Sequence, residues 1–237
     1  MKLDNAVVLV TGANRGIGLE FARQALALGA RKVYAGARDP AKVDLPGVVP
    51  VRLDITDLAQ ARDVAAACPD VTLVINNAGI ASDDNLLDAE SIDAIARMME
   101  TNVYGMLRVS QAFAPVLAAN GGGAFLNVLS VASWITTPAL AAYAVTKSAA
   151  WSVTNGVRIA LKDQATQVLG LHVGFVDTEL TRGMDLPKLA PPKVVARAYA
   201  ALEEGKSEVL IDGLSQAVKH GLSQDPGVYL DVVSRPA

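Results

Sequence analysis

The stretch AVVLVTGANRGIG, residues 6–18, decides the fold of this chain. Its apolar half, Ala6–Val10, predicts a buried β-strand, and Gly16–Leu28 predicts a helix that ends at Gly29. A glycine-rich turn between strand and helix lets the main chain approach a pyrophosphate, and the helix N-terminus supplies free N–H groups and partial positive charge. An ordinary tight turn is the alternative interpretation. The turn predicts dinucleotide contacts from Gly12, Asn14, Arg15, Gly16, Ile17 and Gly18.

Short apolar runs alternate with longer amphipathic stretches along the rest of the chain. Strands are predicted over Lys32–Ala35, Val48–Leu53, Val71–Ile75, Ala124–Val128, Val168–Val173 and Val209–Ile211. Helices are predicted over Asp57–Ala66, Ser91–Met99, Val103–Ala118, Ala141–Leu161, Pro191–Leu202 and Leu214–Leu222. This alternation predicts one α/β domain over residues 1–237. We expect a Rossmann-type doubly wound parallel sheet of about seven strands, with helices on both faces.

The composition excludes several classes of protein. Hydrophobic residues make up 51% of the chain and the formal net charge is only −3, which argues against disorder. Without a basic excess, nothing favours nucleic-acid binding. One cysteine, Cys68, rules out an intrachain disulfide framework, and with only two histidines it leaves little for a zinc site. We therefore expect no metal.

The segment from Val109 to Thr146 lacks charged residues and superficially resembles a membrane span. Pro115, the run Gly121–Gly123 and Pro138 interrupt it, whereas a span needs about 20 mostly apolar residues. Buried structure or a subunit interface is the better interpretation. The N-terminal apolar run is too short for a signal peptide, so we expect a cytoplasmic protein.

Arg38 occupies the position that selects the cofactor. Dinucleotide sites for NAD place an acid about 20 residues beyond the glycines, on the ribose 2′-hydroxyl. A guanidinium there favours the 2′-phosphate of NADP(H) over NAD(H), and Arg15 offers a second cation. The alternative is that both arginines are solvated surface residues that do not contact the cofactor. A shift of one residue would put Asp39 in this position, although Asp39-Pro40 more plausibly begins a turn.

Tyr143 and Lys147 are four residues apart in a predicted helix, which puts them on one face. A nearby ammonium would lower the pKa of the phenol and suit it to proton transfer with a carbonyl oxygen. Such a pair alone is weak, since chance surface pairs are common. Ser130 ends the preceding strand region, thirteen residues earlier, so a loop can bring its hydroxyl beside the phenol.

These motifs together resemble the short-chain dehydrogenase/reductase family, in its shorter single-domain branch. The similarity covers essentially the first 180 residues. Its motifs occur in the order Thr11-Gly12-x-x-x-Gly16-x-Gly18, Asp54, Asn76-Asn77-Ala78-Gly79, Asn102, Ser130 and Tyr143-x-x-x-Lys147. One departure is Val173, where the family usually has proline before the glycine that is Gly174 here.

The resemblance implies a role for each site residue. Tyr143 would be the acid/base, Ser130 would hold the carbonyl oxygen, and Lys147 would lower the pKa of Tyr143 and bind the nicotinamide ribose. Asn102 would hold a water that links Lys147 to solvent. Further cofactor contacts are implied for Asp54, Ile55, Asn77, Ala78, Gly79, Gly174, Val176 and Thr178. Asn76 and Asn77 also have a structural alternative, in which they connect strand ends.

The loops at the predicted substrate rim are apolar, which favours a hydrophobic ketone or aldehyde, although core packing is the alternative for each side chain. Their residues are Ile80, Trp134, Ile135, Leu140, Phe175, Leu180, Met184 and Leu186. Residues 179–190 are predicted to form a lid.

The leading hypothesis is thus an NADPH-dependent carbonyl reductase or alcohol dehydrogenase. An NAD-dependent alcohol dehydrogenase and a non-catalytic NADP-binding sensor stay open. Two long apolar helices predict a homodimer or homotetramer, and the predicted last helix would alter the second interface of a tetramer.

Overall fold

Seven strands form one parallel sheet in the computed structural model, which describes residues 1–231. The strands are β1 (Val7–Thr11), β2 (Lys32–Ala37), β3 (Val49–Arg52), β4 (Leu73–Asn76), β5 (Gly123–Val128), β6 (Thr166–His172) and β7 (Glu208–Leu210). Their order is β3-β2-β1-β4-β5-β6-β7, and all neighbouring pairs are parallel. The predicted Rossmann-type sheet is confirmed, with bounds within about three residues of those expected.

Helices cover both faces of the sheet. They are α1 (Gly16–Ala27), α2 (Leu58–Ala67), α3 (Ser91–Met99), α4 (Met106–Ala119), α5 (Ala141–Ala160), α6 (Pro191–Glu203), α7 (Gly213–Gly221) and α8 (Val228–Asp231). Helices α1 and α6 pack together on one face, while α2, α4 and α5 cover the other. Within residues 1–231, no helix combines the length and apolar character needed to cross a bilayer.

Alternating side chains along the strands build a separate core under each face. Val8 and Val10 of β1 belong to the core beneath α1 and α6, whereas Val7 and Leu9 belong to the opposite one. All four are fully buried, as a parallel sheet covered on both faces requires.

Helices α3 and α4 are parts of one continuous helix, because residues Glu100–Gly105 form a π-helical segment between them. The prediction that the second helix starts separately at Val103 is therefore wrong. A Cβ at Gly105 would lie 2.7 Å from the Ile55 Cδ1 atom and 3.2 Å from the Ile55 carbonyl oxygen, so a larger residue would require this loop to shift. Pro115 lies inside α4 without ending it.

The sheet reverses its strand order between β1 and β4, and a crevice opens there at the carboxyl ends of the strands. A buried hydrogen-bond chain connects the neighbouring ends. The Asn76 amide donates to the Asn127 side-chain oxygen (2.9 Å), and the Asn127 amide donates to the Thr154 hydroxyl (3.0 Å). This chain ties β4 and β5 to α5, the helix that carries Tyr143 and Lys147.

The pairing of α1 with α6 gives a prediction about stability. The Tyr199 ring packs edge-on against Phe21 (centroids 5.3 Å apart), and its buried hydroxyl donates to the Phe21 carbonyl at 2.7 Å. We expect Tyr199→Phe to lower the free energy of unfolding by about 1 kcal/mol, the usual contribution of such a bond. Urea unfolding measures it, with Tyr229→Phe, at a half-exposed position, as control. Equal effects of the two substitutions would contradict the assigned hydrogen bond.

Candidate active site

The turn after β1 has the backbone that its glycines make possible. Gly12 and Gly16 adopt φ angles of +67° and +55°, in the left-handed region that glycine favours. A Cβ on Gly18 would lie 2.2 Å from the Gly12 carbonyl oxygen and 2.5 Å from the Asn77 amide nitrogen. The first turn of α1 therefore sits directly against the glycine turn and the end of β4.

Asn77 clamps this turn from the neighbouring strand. Its side-chain amide donates to the main-chain carbonyls of Thr11 (2.9 Å) and Gly12 (3.3 Å). In return, the Thr11 hydroxyl accepts from the main-chain N–H groups of Asn77 and Ala78. The strand-connecting interpretation of the asparagines thus agrees with the geometry.

A cleft of about 370 Å³ runs from the glycine turn to Tyr143 and the loop after β6. Of the site residues predicted from the sequence, all but Gly18 and Asn102 line it. The predicted residues in its wall are Gly12, Asn14, Arg15, Gly16, Ile17, Arg38, Asp54, Ile55, Asn77, Ala78, Gly79, Ser130, Tyr143, Lys147, Gly174, Val176 and Thr178. Gly18 lies behind the turn it supports.

A second cavity of about 260 Å³ continues the cleft past Arg38, and Asn14, Arg15 and Lys42 also line it. Asp39 contributes to the wall as well, but its carboxylate accepts from the Ala41 N–H and so begins a turn, as expected. Three cations against one turn-forming acid give this end of the cleft a positive balance, which suits a phosphate.

The shape and chemistry of the cleft fit a dinucleotide phosphate. Gly16 lines it, and a Cβ there would have only Thr178 within 4 Å, so the main chain is open to a ligand. This bare turn at the start of α1 suits a pyrophosphate, and the cavity beside Arg38 suits a further phosphate.

An ion pair crosses the cleft between Arg15 in the glycine turn and Glu179 in the loop after β6. The Arg15 side chain is 65% exposed and the Glu179 side chain is 48% exposed, so solvent reaches this ion pair. Glu179 also lies within reach of Arg182. Glu179 is the first residue of the predicted lid, but its ion pair with Arg15 was not expected, because the two residues are 164 positions apart and no local motif connects them.

Asp54 begins the loop after β3 and accepts hydrogen bonds from the Thr56 N–H (3.0 Å) and hydroxyl (2.7 Å). This local turn keeps the carboxylate at the cleft, beside Ile55. Thr56 also lines the cleft and was not predicted; its partnership with an acid two residues earlier is the signal that points to it.

Tyr143, Lys147 and Ser130 converge at the far end of the cleft. The Lys147 ammonium lies 5.6 Å from the centre of the Tyr143 ring and donates to the Val128 carbonyl at 2.9 Å. Burial lowers the pKa of Lys147 from 10.5 to about 8. The spacing of four residues on α5 thus brings the pair onto one face, as expected.

The pKa of Tyr143 departs from the expectation. Burial raises it above its ordinary value of 10, and a hydrogen bond from Ser130 acts in the opposite direction. The expected lowering by Lys147 does not appear, because the ammonium is turned toward the Val128 carbonyl. Burial therefore favours the neutral form of the Tyr143 phenol.

Asn102 lies in the π-helical segment, behind the cleft wall. Its side-chain oxygen accepts from the Ile80 N–H at 2.8 Å, and its amide donates to the Ile80 carbonyl (2.9 Å) and the Thr146 hydroxyl (3.0 Å). Asn102 thus connects the loop after β4 to α5, and its partner on α5, Thr146, is the residue before Lys147.

Residues beyond β6 hold the loop that contains Gly174, Val176 and Thr178. The Asp212 carboxylate accepts from the Gly174 N–H at 2.6 Å and from the Ser215 N–H at 2.7 Å, capping α7 with its other oxygen. The Thr181 hydroxyl donates to the Val176 carbonyl at 2.6 Å. Sequence reasoning missed Asp212, and its place as the N-cap of α7 is the signal that could have found it.

The predicted substrate rim is only partly correct. Ile80 and Leu180 line the cleft, whereas the remaining apolar rim candidates do not appear in its wall. Trp134 stacks on His172 instead (centroids 3.9 Å apart, 20° between planes) and meets the Trp151 ring edge-on. Trp134, one of these candidates, thus packs against a buried imidazole and is not part of the cleft wall.

Comparison with known proteins identifies related chains. The family model described as short chain dehydrogenase matches residues 6–187. A galactitol 2-dehydrogenase (L-tagatose-forming) of Cereibacter sphaeroides is 36% identical over 196 residues, 77% of this chain and 76% of that protein. An NADP-dependent 3-hydroxy acid dehydrogenase of Schizosaccharomyces pombe is 30% identical, over 76% and 75% of the two chains. The crystal structure of a short chain dehydrogenase from Burkholderia cenocepacia in complex with NADP is 38% identical, with a TM-score of 0.91 over 95% of this chain and 96% of that one.

The buried ammonium of Lys147 gives a prediction about pH and stability. Between pH 8 and 10.5 the unfolded lysine binds more protons than the folded one, so the free energy of unfolding rises with pH there. Below pH 8 the charge is held in a site that disfavours it. We expect Lys147→Met to stabilise the ligand-free protein by about 1–3 kcal/mol at pH 7.

This gain should shrink as the pH rises from 8 to 10.5. Urea unfolding at several pH values measures it, with Lys193→Met, at an exposed position of α6, as the control. A gain that is constant with pH would contradict the lowered pKa of Lys147.

Proposed function

The chain belongs to the short chain dehydrogenase family of oxidoreductases, and from that premise we propose that it reduces a hydrophobic ketone or aldehyde with NADPH, reversibly. The observation that carries the proposal is the convergence of Ser130, Tyr143 and Lys147 in the cleft that begins at the glycine turn. Together they offer a proton donor, a second hydroxyl and a cation at one point.

The preference for NADPH over NADH rests on the cations at the second cavity. Arg38 is exposed at its edge, and Arg15 and Lys42 lie in the same wall. A forked guanidinium matches the 2′-phosphate that distinguishes NADP from NAD. The NADP in the Burkholderia cenocepacia structure and the name of the Schizosaccharomyces pombe relative support the same preference.

In the reducing direction, Tyr143 is the proposed general acid. NADPH, when bound, supplies the hydride that reaches the carbonyl carbon. Tyr143 donates its phenolic proton to the carbonyl oxygen, and burial favours the neutral phenol that this step requires. Ser130, whose hydroxyl is held by the Ala132 N–H at 3.1 Å, donates to the same oxygen and orients it.

Lys147 has two proposed roles. Its ammonium binds the ribose hydroxyls of the nicotinamide half, and it stabilises the phenolate that Tyr143 becomes after donating its proton. A pKa of about 8 leaves it mostly charged at pH 7. We also propose that Asn102 holds the water through which protons return, since its side-chain oxygen accepts one hydrogen bond, from Ile80, and has a lone pair left.

The substrate class rests on Ile80 and Leu180, the two predicted rim residues that line the cleft. A polar substrate is the second candidate, because the names of two relatives specify galactitol and a 3-hydroxy acid. Thr101, Thr181 and Glu179 in the cleft wall are polar groups that would bind such hydroxyls. A substrate panel that includes both classes distinguishes them.

Two other functions left open by the sequence can each be distinguished from the proposed one by experiment. An NAD-dependent alcohol dehydrogenase would prefer NADH over NADPH by about tenfold or more, and a tenfold preference corresponds to a free-energy difference of only about 1.4 kcal/mol. A non-catalytic NADP sensor would bind NADPH tightly without turnover. Retention of the tyrosine, the lysine and the serine favours catalysis over sensing.

We also propose that residues 1–237 form one domain, that the protein is cytoplasmic and that it is a homodimer or homotetramer. The assembly would use the outer faces of α4 and α5. Val145 and Ile159 of α5 are 41% and 76% exposed, and Tyr104 at the start of this region is 47% exposed. Such apolar exposure favours an interface between copies.

Substitution of Tyr143 by phenylalanine tests the chemistry. We expect Tyr143→Phe to lower kcat by at least about 100-fold, the usual contribution of a general acid, while NADPH still binds. The assay follows NADPH consumption with hydrophobic ketones and aldehydes, and NADP reduction with galactitol and 3-hydroxy acids. Tyr229→Phe is the control. Unchanged turnover in Tyr143→Phe would overturn its role, and tight NADPH binding by the wild type without any turnover would favour the sensor.

Substitution of Arg38 tests the cofactor preference. We expect Arg38→Leu to lower kcat/KM for NADPH by about tenfold or more and to leave that for NADH nearly unchanged, because the lost contact is charge-assisted. Arg62→Leu removes an equal charge from an exposed position on α2 and controls for general electrostatics. A wild type that uses NADH better, or equal losses for both cofactors, would contradict the proposed role.

A further inference from the structure

His172 is a fully buried ionisable residue that the proposed mechanism does not use. It ends β6, and its ring lies directly beneath the segment that carries Ser130. The Nδ1 atom is 3.1 Å from the main-chain oxygen of Ser130. Because a carbonyl oxygen only accepts, Nδ1 must carry the hydrogen in this contact.

The opposite edge of the ring meets an acid from β7. The Nε2 atom lies 3.2 Å from one oxygen of Glu208, and the Lys219 ammonium of α7 lies 2.8 Å from the other. Contact with His172 is the largest of the causes that lower the pKa of Glu208 to about 2, and Lys219 adds to it. The acid is therefore ionised in neutral solution, and one of its oxygens faces the Nε2 edge of the imidazole.

Two tryptophan rings also pack in this region, one of them directly on His172. Trp134 lies flat on the imidazole and belongs to the short 3-10 turn that follows Ser130. Trp151 of α5 meets Trp134 edge-on, and the Lys219 ammonium sits 4.6 Å and 5.2 Å from the two ring centres. His172 thus contacts the Ser130 segment twice, through a hydrogen bond to its main chain and through a stacked ring.

We infer that His172 is a positioning residue, which holds Ser130 at the substrate oxygen by donating from Nδ1 to the Ser130 carbonyl, from a fully buried ring that is stacked on Trp134. The inference rests on the proposed function, in which the Ser130 hydroxyl orients that oxygen. Glu208 and Lys219 lie beyond residues 6–187, the part that the family model matches. Arg158 of α5 is a further cation that acts on Glu208.

A pair of substitutions of equal shape tests the hydrogen bond. Asparagine and leucine have the same branching, and the asparagine amide nitrogen can occupy the place of Nδ1, so only His172→Asn retains a donor to Ser130. We expect His172→Leu to lower kcat by about tenfold to 100-fold, since small misplacements of a reacting group have effects of this size. KM for NADPH should stay the same, because the glycine turn lies elsewhere. His172→Asn should recover most of the kcat.

Hydrogen exchange supplies a readout that does not depend on turnover. We expect faster amide exchange in residues 129–134 of His172→Leu, and exchange close to that of the wild type in His172→Asn. Trp151→Phe is the matched control, because it disturbs the same aromatic group without touching the bond to Ser130. It should leave both kcat and exchange in this segment close to the wild type.

The outcomes separate this inference from the proposed function. Equal losses in His172→Asn and His172→Leu would overturn it in favour of simple packing, as would wild-type kcat and exchange in His172→Leu. If the wild-type protein turns over none of the carbonyls, the proposed function fails. Exchange in residues 129–134 alone then decides whether His172 holds the Ser130 segment.

Discussion

The close approach of the glycine turn to the end of β4 is the constraint on which the rest of the site depends. Gly18 has no room for a side chain, because the Gly12 carbonyl and the Asn77 amide occupy the place of its Cβ. That approach lets one asparagine bond two successive carbonyls of the turn. Main-chain groups of the glycine turn consequently form part of the wall of the crevice between β1 and β4.

The ligand-free electrostatics differ between the two ends of the cleft. At one end, exposed cations surround a cavity, and Arg15 is paired with Glu179 across the opening. At the other, Lys147 is buried and Tyr143 is partly buried, and desolvation disfavours the charged form of each. The first end suits recognition of an anion from solvent, whereas the second favours side chains in their neutral form.

Features that depend on local spacing were predictable from the sequence. The glycine turn, the pairing of Tyr143 with Lys147 and the parallel sheet follow from periods of a few residues, and their elements lie where expected. Trp134 shows the limit of such reasoning. It was predicted at the substrate rim, but it stacks on His172, which lies 38 residues away along the chain. The close packing of Gly105, in the π-helical segment, against Ile55 likewise joins residues 50 positions apart, which no periodicity reports.

The bond between Asp212 and Gly174 has a consequence for chimeric proteins. All the recognisable sequence motifs lie before residue 187, yet this carboxylate, from a strand-to-helix junction much later in the chain, fixes the main chain of the loop at the cleft. A hybrid that takes its first three-quarters from this protein and the remainder from a relative would inherit every motif. Its loop would still lack an anchor unless the donor brings an acid to the same junction. Recombination partners are therefore better chosen by this junction than by overall identity.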